Sequence, residues 1–107
     1  MLYELRIYHI CQGRLAAIHK RFSEHTLKFF EKYGIKVVDF WEDAEGNERI
    51  YYVLEYQDME ERNRKFAEGF AKDPDWLEVK RLSVIDGEIV EKIDIHFMKR
   101  VPYLPAK

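Results

Sequence analysis

The chain has 107 residues, enough for one domain with a single core but not for two. Its 18 Lys and Arg against 20 Asp and Glu give a formal net charge of -2, which excludes the basic surface that nucleic acid or an anionic membrane requires. The sequence has neither a run of ~20 apolar residues nor a signal peptide, and Cys11 is its only cysteine. We therefore predict a protein without a membrane span or internal disulfide, in the reducing cytoplasm.

The first half of the chain predicts a strand, a helix and a hairpin. Residues 2–10 alternate between polar and apolar side chains, as in a strand. Side chains that recur at steps of three and four residues then predict the buried stripe of a helix: Leu15, Ile18, Phe22, His25, Phe29 and Tyr33. Gly34 can end this helix in a left-handed conformation. Residues 35–42 and 50–56 are predicted as two strands joined around the sequence EGN.

The second half predicts two short helices and a final strand. Asp58 and Glu61 form a capping-box pair, with aspartate in place of the usual Ser or Thr. The side chains predicted to face inward from this helix are Met59, Phe66 and Phe70. Asp73 and Pro74 begin the next helix, which carries Trp76 and Leu77 toward the core. Residues 89–98 alternate again and are predicted as the last strand.

The order of these elements, βαββαβ, predicts a ferredoxin-like α+β fold: one four-stranded antiparallel sheet with helices on one face. Residues 101–107, VPYLPAK, contain two prolines and are predicted as an extended tail of the single domain, residues 1–107. We expect the helices to cover the most apolar side of the sheet. The residues placed there are Leu5, Ile7, Tyr52, Leu54, Ile93, Ile95 and Phe97.

The opposite side of the predicted sheet combines rings with charges. Its rings and apolar groups are Tyr8, Phe40, Tyr51, Val53 and Met98, and its polar groups are Glu4, Arg6, Glu55, Asp94 and His96. This mixture is too aromatic for a solvated surface and too charged for a dry core. We therefore predict a homodimer that packs sheet face to sheet face. A monomer with exposed aromatic residues is the alternative.

Four segments resemble the NIPSNAP family: MLYELRIY, RFSEHTLKFFEKYGIKVVDFW, YYVLEYQDMEER and DPDW. Together they span nearly the whole chain. The resemblance implies that two ferredoxin-like subunits pair as a dimeric α+β barrel, the architecture of small cofactor-free monooxygenases, haem-degrading enzymes and lactone isomerases. It implies no catalytic residues, because we know of no agreed catalytic set for the family.

The predicted ligand-binding residues are His25, Asp39, Trp41 and Tyr52. His25 faces the sheet if the helical register continues through it, and a buried imidazole needs a hydrogen-bond partner. Counting across the EGN turn puts Asp39 and Trp41 on the side of Tyr52, so a His25–Asp39 contact would orient the imidazole and raise its pKa. Two interpretations stay open: a structural histidine, or one that binds a ligand or acts as an acid and base.

Other groupings are weaker. His96, Asp94, Glu4 and Arg6 predict a charge network, with catalysis as the less favoured interpretation. His9 and Cys11 resemble half of a metal site, but two further ligands at workable spacing are missing from the sequence, so we predict no zinc. The chain has no glycine-rich phosphate loop and no nucleotide fingerprint, and we expect no cofactor.

These patterns predict a NIPSNAP-like homodimer of unestablished activity that binds a small apolar or aromatic ligand between helix and sheet. One alternative is a cofactor-free monooxygenase or isomerase in which His25 and a tyrosine move protons. Another is a protein-interaction module that docks through residues 101–107.

Overall fold

The computed structural model describes residues 1–105. Its four strands form one antiparallel sheet in the order β2-β3-β1-β4. The strands are β1 (Leu2–Ile10), β2 (Lys36–Glu42), β3 (Arg49–Tyr56) and β4 (Val90–Met98). All helices lie on one side of the sheet, so the predicted ferredoxin-like α+β fold is confirmed.

The helical segments depart from α-helical geometry in several places. Helix α1 (Leu15–Arg21) continues through a π-helical turn, Phe22–Thr26, into α2 (Leu27–Lys32). Helix α3 (Met59–Arg62) continues into a second π-helical turn, Asn63–Ala67, and a 3₁₀ turn, Phe70–Lys72, precedes α4 (Pro74–Ser83). None of these helices has the length and apolar content that a membrane crossing requires within residues 1–105.

The predicted start and stop signals are present. The Asp58 carboxylate accepts a hydrogen bond from the Glu61 backbone N–H at 2.9 Å, which caps α3. Gly34 ends α2 with φ of 67°, a conformation that a residue with a Cβ adopts only at a cost. The backbone N–H of Ile35 then donates to the carbonyl of Phe30 at 2.8 Å, so the chain turns directly into β2.

The first π-helical turn changes which side of the helix is buried. A continuous α-helix would bury His25 and Phe29 after Phe22, as the sequence predicted. A π-helical turn holds one more residue than an α-helical turn, so Thr26 and Phe30 take those positions and His25 is exposed. The prediction that His25 faces the sheet is therefore wrong.

The sides of β1 are opposite to those predicted. Arg6 lies directly across from Tyr52 of β3 and Ile95 of β4. The side of the sheet on which the helices lie, called the covered face here, therefore includes Glu4, Arg6, Tyr8, Tyr52, Leu54, Ile93, Ile95 and Phe97. The prediction that the helices cover Ile93, Ile95 and Phe97 is wrong, because these residues of the edge strand β4 are 38% to 43% exposed. The other side, called the open face, includes Leu5, Ile7, His9, Tyr51, Val53, Asp94, His96 and Met98. The prediction assumed that the covered face is purely apolar, whereas Glu4 and Arg6 satisfy each other there.

An irregularity in β2 explains a second reversal. The register of β2 against β3 shifts between Val37 and Asp39, which leaves one extra residue in β2. As a result Phe40 lies opposite Tyr52 and stacks on it, with ring centroids 5.1 Å apart and 14° between the planes. Asp39 and Trp41 fall on the open face instead of beside Tyr52, because a shift of one residue exchanges the two sides of a strand.

Aromatic rings fill the space between the covered face and the helices. Phe30 contacts Tyr52, Phe66 and Phe70 with centroid distances of 4.9 to 6.3 Å. Two predicted core residues, Met59 and Leu77, are instead exposed. In the predicted tail, residues 101–105 are exposed with a turn at Pro102 and Tyr103, and Ala106 and Lys107 lie outside the described residues.

Candidate functional site

A cavity of about 460 Å³ lies between the covered face of the sheet and the segment that leads from the second π-helical turn into α4. Three aromatic rings form one wall: Phe70 stacks on Trp76, with centroids 4.8 Å apart, and contacts Phe66 at 5.2 Å. Arg6 and Tyr8 of β1 form the floor. We call this space the inner cavity.

Asp73 holds the aromatic wall in place. Its carboxylate caps α4 by accepting hydrogen bonds from the backbone N–H groups of Asp75, at 2.8 Å, and Trp76, at 3.1 Å. It also accepts from Lys32 Nζ at 2.6 Å and from the Tyr33 hydroxyl. These hydrogen bonds hold the pKa of Asp73 well below its usual range, and those from Lys32 and Tyr33 have the largest effect. The start of α4 is thereby tied to the end of α2, with Trp76 turned toward the sheet.

The floor of the inner cavity belongs to a buried hydrogen-bonded network. Arg6 donates from Nε to the Tyr52 hydroxyl at 2.8 Å and from Nη1 to Glu4 Oε2 at 2.7 Å. The hydroxyl oxygens of Tyr8 and Tyr52 are 2.9 Å apart. Arg62 donates to the same Glu4 carboxylate at 2.9 and 3.1 Å. One buried carboxylate therefore compensates two guanidinium groups, which leaves the network with a net positive charge.

The ionisation states of Arg6 and Tyr52 are fixed around neutral pH. Burial and the proximity of Tyr8 raise the pKa of Tyr52, and they outweigh the opposing effect of Arg6. Burial lowers the pKa of Arg6, but Tyr52, Tyr8 and the hydrogen bond to Glu4 together raise that pKa by more. The network therefore combines a permanent cation with a neutral Tyr52 hydroxyl.

Arg21 lies between the inner cavity and a second depression. This outer groove, of about 350 Å³, runs between α1 and α4. Arg21 lines both spaces, although the residue is only 6% exposed. It donates to Ser83 Oγ at 3.2 Å, and its guanidinium carbon is 5.7 Å from the centroid of Trp76. Burial lowers the pKa of Arg21 by more than nearby Tyr8, Tyr52 and Glu88 raise it.

The four ligand-binding residues predicted from the sequence do not come together. His25 lines the outer groove. Asp39 and Trp41 lie on the open face, and Trp41 is 47% exposed. Tyr52 is fully buried in the network below the inner cavity. The predicted contact between His25 and Asp39 is therefore absent.

The other predicted groupings are also separated. Glu4 and Arg6 lie on the covered face, whereas Asp94 and His96 lie on the open face, so these four residues form no single charge network. Asp94 instead accepts a hydrogen bond from His9 Nε2 at 2.7 Å. Residues 1–105 contain no group of three or more His, Cys, Asp or Glu side chains that is arranged to hold a metal ion.

The sequence analysis missed Arg6, Tyr8 and Arg21 as residues of one cavity. The sequence did contain a signal for the burial of Arg6. Glu4 and Arg6 are two residues apart on a strand, so these opposite charges lie on the same side of it. Such a pair can be buried at a lower cost than either charge alone. Arg21 lies three residues after the buried Ile18 in α1, so helical periodicity places it on the buried side, but its charge argued against burial.

Comparison with known proteins agrees with this architecture. The NIPSNAP family model matches residues 3–105. A NIPSNAP domain protein from Burkholderia xenovorans superposes with a TM-score of 0.84 at 21% identity, covering 99% of this chain and 100% of that one. A NIPSNAP family protein from Agrobacterium tumefaciens gives 0.83 at 18% identity, covering 99% and 98%.

A more distant fold relative is a candidate antibiotic biosynthesis monooxygenase from Bordetella bronchiseptica. It superposes with a TM-score of 0.67 at 17% identity, covering 94% of this chain and 96% of that one. No curated protein matches the chain. The match to the family model extends over nearly the whole sequence and confirms the predicted resemblance: the chain belongs to the NIPSNAP family.

Proposed function

We propose that this protein binds a small aromatic molecule in the inner cavity. The observation that carries the proposal is the combination of aromatic walls with a buried, hydrogen-bonded polar floor in one space of about 460 Å³. Small-molecule sites are typically ~300 to 1,000 Å³, mostly apolar, with a few fixed polar groups that orient the ligand. The sequence also predicted a site between helix and sheet, but from His25, Asp39, Trp41 and Tyr52; the lining residues that support the present proposal are different.

A thermal-shift screen with flat aromatic compounds tests the proposal. A ligand of the folded state raises the melting temperature as its concentration increases above its Kd. Ala71 lines the inner cavity, so Ala71→Leu should fill part of the space and weaken binding about tenfold or more. Ala16→Leu introduces the same side chain at an exposed position of α1 and should leave binding unchanged. Equal binding by the Ala71→Leu variant would place the ligand elsewhere.

We also propose that two copies pair through their open faces. In a single subunit, Leu5, Ile7 and Val53 are only partly covered, and Trp41 is 47% exposed beside them in the sheet. A two-fold axis allows one such face to cover itself in a second copy. Formation of this pair in the cytoplasm is compatible with Cys11, the single thiol of the chain.

Light scattering tests the pairing. We expect a particle of twice the 13.0 kDa subunit mass. Ile7→Glu, on the open face, should yield the single subunit, because a charge there must be desolvated against its own copy. Ile85→Glu makes the same substitution at a residue that is 70% exposed outside the sheet, and it should remain a dimer. A wild-type particle of 13.0 kDa would contradict the proposal.

A cofactor-free monooxygenase is the second candidate function. The chain of hydroxyls from Tyr52 to Tyr8, anchored by Arg6, favours it because such donors stabilise the anion of a bound phenol. Oxygen uptake in the presence of polyhydroxylated aromatic compounds that bind the cavity tests this activity. Oxygen uptake that is lost in Tyr8→Phe would support monooxygenase activity. Ligand binding without oxygen uptake would contradict it and support a binding protein.

A further inference from the structure

Arg21 is a buried cation without a carboxylate partner. Its residue is 6% exposed, and within the described part of the chain no Asp or Glu lies within ion-pair distance of it. A guanidinium group has five N–H donors. Arg21 uses one of them for Ser83 Oγ, and its Nε–H has no acceptor among residues 1–105. A buried charge in this condition destabilises the protein unless something else compensates it.

The charges around Arg21 do not supply that compensation. The buried Glu4 carboxylate is already shared by Arg6 and Arg62. Glu88 and Glu91 also line the inner cavity, but both are exposed and neither forms an ion pair with Arg21. Arg21 therefore has no negative charge within ion-pair distance among the carboxylates that surround the cavity.

Tyr8 offers a second donor to the same space. Tyr52 is fully buried, and its hydroxyl oxygen accepts a hydrogen bond from Arg6. The remaining partner of the Tyr52 hydroxyl within residues 1–105 is Tyr8, so Tyr52 donates its hydrogen to the Tyr8 oxygen. The hydrogen of the Tyr8 hydroxyl is then free to donate to another group, and Tyr8 lines the inner cavity beside Arg21.

From this geometry we infer that the ligand of the inner cavity is an aromatic carboxylic acid in its anionic form. Its carboxylate accepts hydrogen bonds from Arg21 and from the Tyr8 hydroxyl, and its ring packs against Phe70 and Trp76. The carboxylate supplies the missing negative charge, and a planar guanidinium matches it in shape. This inference rests on the proposed binding function and specifies the class of molecule.

Pairs of ligands that differ in charge but hardly in shape test the inference. Calorimetric titration would compare the carboxylates of benzene, naphthalene and anthracene with the corresponding carboxamides. Hydrogen bonds to charged groups contribute about 1.5 to 3 kcal/mol, so each acid that binds should bind roughly 10-fold to 100-fold more tightly than its amide. Acids and amides that bind equally would overturn the inference while leaving the proposed function intact. Failure of every aromatic compound to bind would overturn both.

Three variants locate the effect. Arg21→Met should reduce the acid-to-amide affinity ratio to about one, and because it removes an uncompensated buried charge it should preserve the fold. Lys20→Met removes an exposed cation of the outer groove and should leave the ratio unchanged. A ratio that depends on Lys20 and not on Arg21 would assign the acid to the outer groove and refute the inference. Tyr8→Phe, which keeps the ring, should weaken acid binding by about fivefold or more.

Discussion

Alternate residues of β1 face opposite environments, and the two faces of the sheet differ in an unusual way. Glu4 and Arg6 are buried under the helices, whereas Leu5 and Ile7 remain partly exposed on the open face. In an ordinary two-layer protein the apolar residues of such a strand would be the covered ones. Burial of the charged pair depends on the hydrogen bond between Arg6 and Glu4, whereas the partly exposed apolar residues of β1 are the basis of the pairing proposed above.

The largest effect should come from removing the carboxylate of the covered face. Glu4→Gln leaves Arg6 and Arg62 without their shared negative charge in a buried site. We expect a loss of about 3 to 5 kcal/mol in the free energy of unfolding, measured by urea denaturation. The matched change on the open face, Glu55→Gln, breaks a 3.5 Å ion pair to the exposed Lys36 and should cost about 1 kcal/mol or less. Equal losses would mean that the two faces do not differ as described.

Two neighbouring tyrosines of β3 give a smaller contrast. Tyr52→Phe leaves Arg6 Nε and the Tyr8 hydroxyl without a buried partner, so the free energy of unfolding should fall by about 1 to 3 kcal/mol. Tyr51→Phe on the open face removes only a 3.2 Å hydrogen bond to Asp43 and should cost about 0.5 kcal/mol. Denaturation of both variants under the same conditions tests this order. A Tyr51 variant that is the less stable of the two would contradict it.

The smallest effect should appear on the open face in acid. The hydrogen bond from His9, aided by Lys92, lowers the pKa of Asp94 from its usual value. A carboxyl group with a lower pKa in the folded state stabilises the protein above its unfolded pKa of about 3.9 and loses that effect as the pH falls through the folded pKa. The free energy of unfolding of the wild type should therefore exceed that of Asp94→Asn at pH 6. The difference should vanish once the pH falls below the folded-state pKa of Asp94. Urea midpoints measured from pH 6 to pH 2 test this, and a difference that persists at pH 2 would exclude titration of Asp94 as the cause.

The sequence predicted the fold well because the signals involved are local. Alternation placed all four strands, and the caps at Asp58, Asp73 and Gly34 placed the helix ends. The sides of the elements were harder to predict. They depend on a one-residue irregularity in β2 and on a wide turn after Phe22, and each of these shifts a periodic pattern by one residue without a marker in the sequence.

The candidate site could be predicted only in its general position. Tyr52 was assigned correctly to the side under the helices, but His25, Asp39 and Trp41 were assigned to a side where the structure does not place them. Arg6 was assigned to the open face because charged residues are seldom buried, and Tyr8 followed because alternate residues of a strand share a side. Their burial becomes understandable only once Glu4, Arg62 and Tyr52 are seen to satisfy them, and that requires contacts between residues far apart in sequence.

The π-helical turn at Phe22–Thr26 also affects how this chain should be aligned with its relatives. Insertions and deletions are usually placed in loops, since the loss of one residue inside a helix rotates everything after it by about 100°. Here the wide turn already contains the surplus residue. A homologue that is one residue shorter within this turn can keep both halves of the helix seated on the same partners, so a gap in the middle of the helix is the physically reasonable placement.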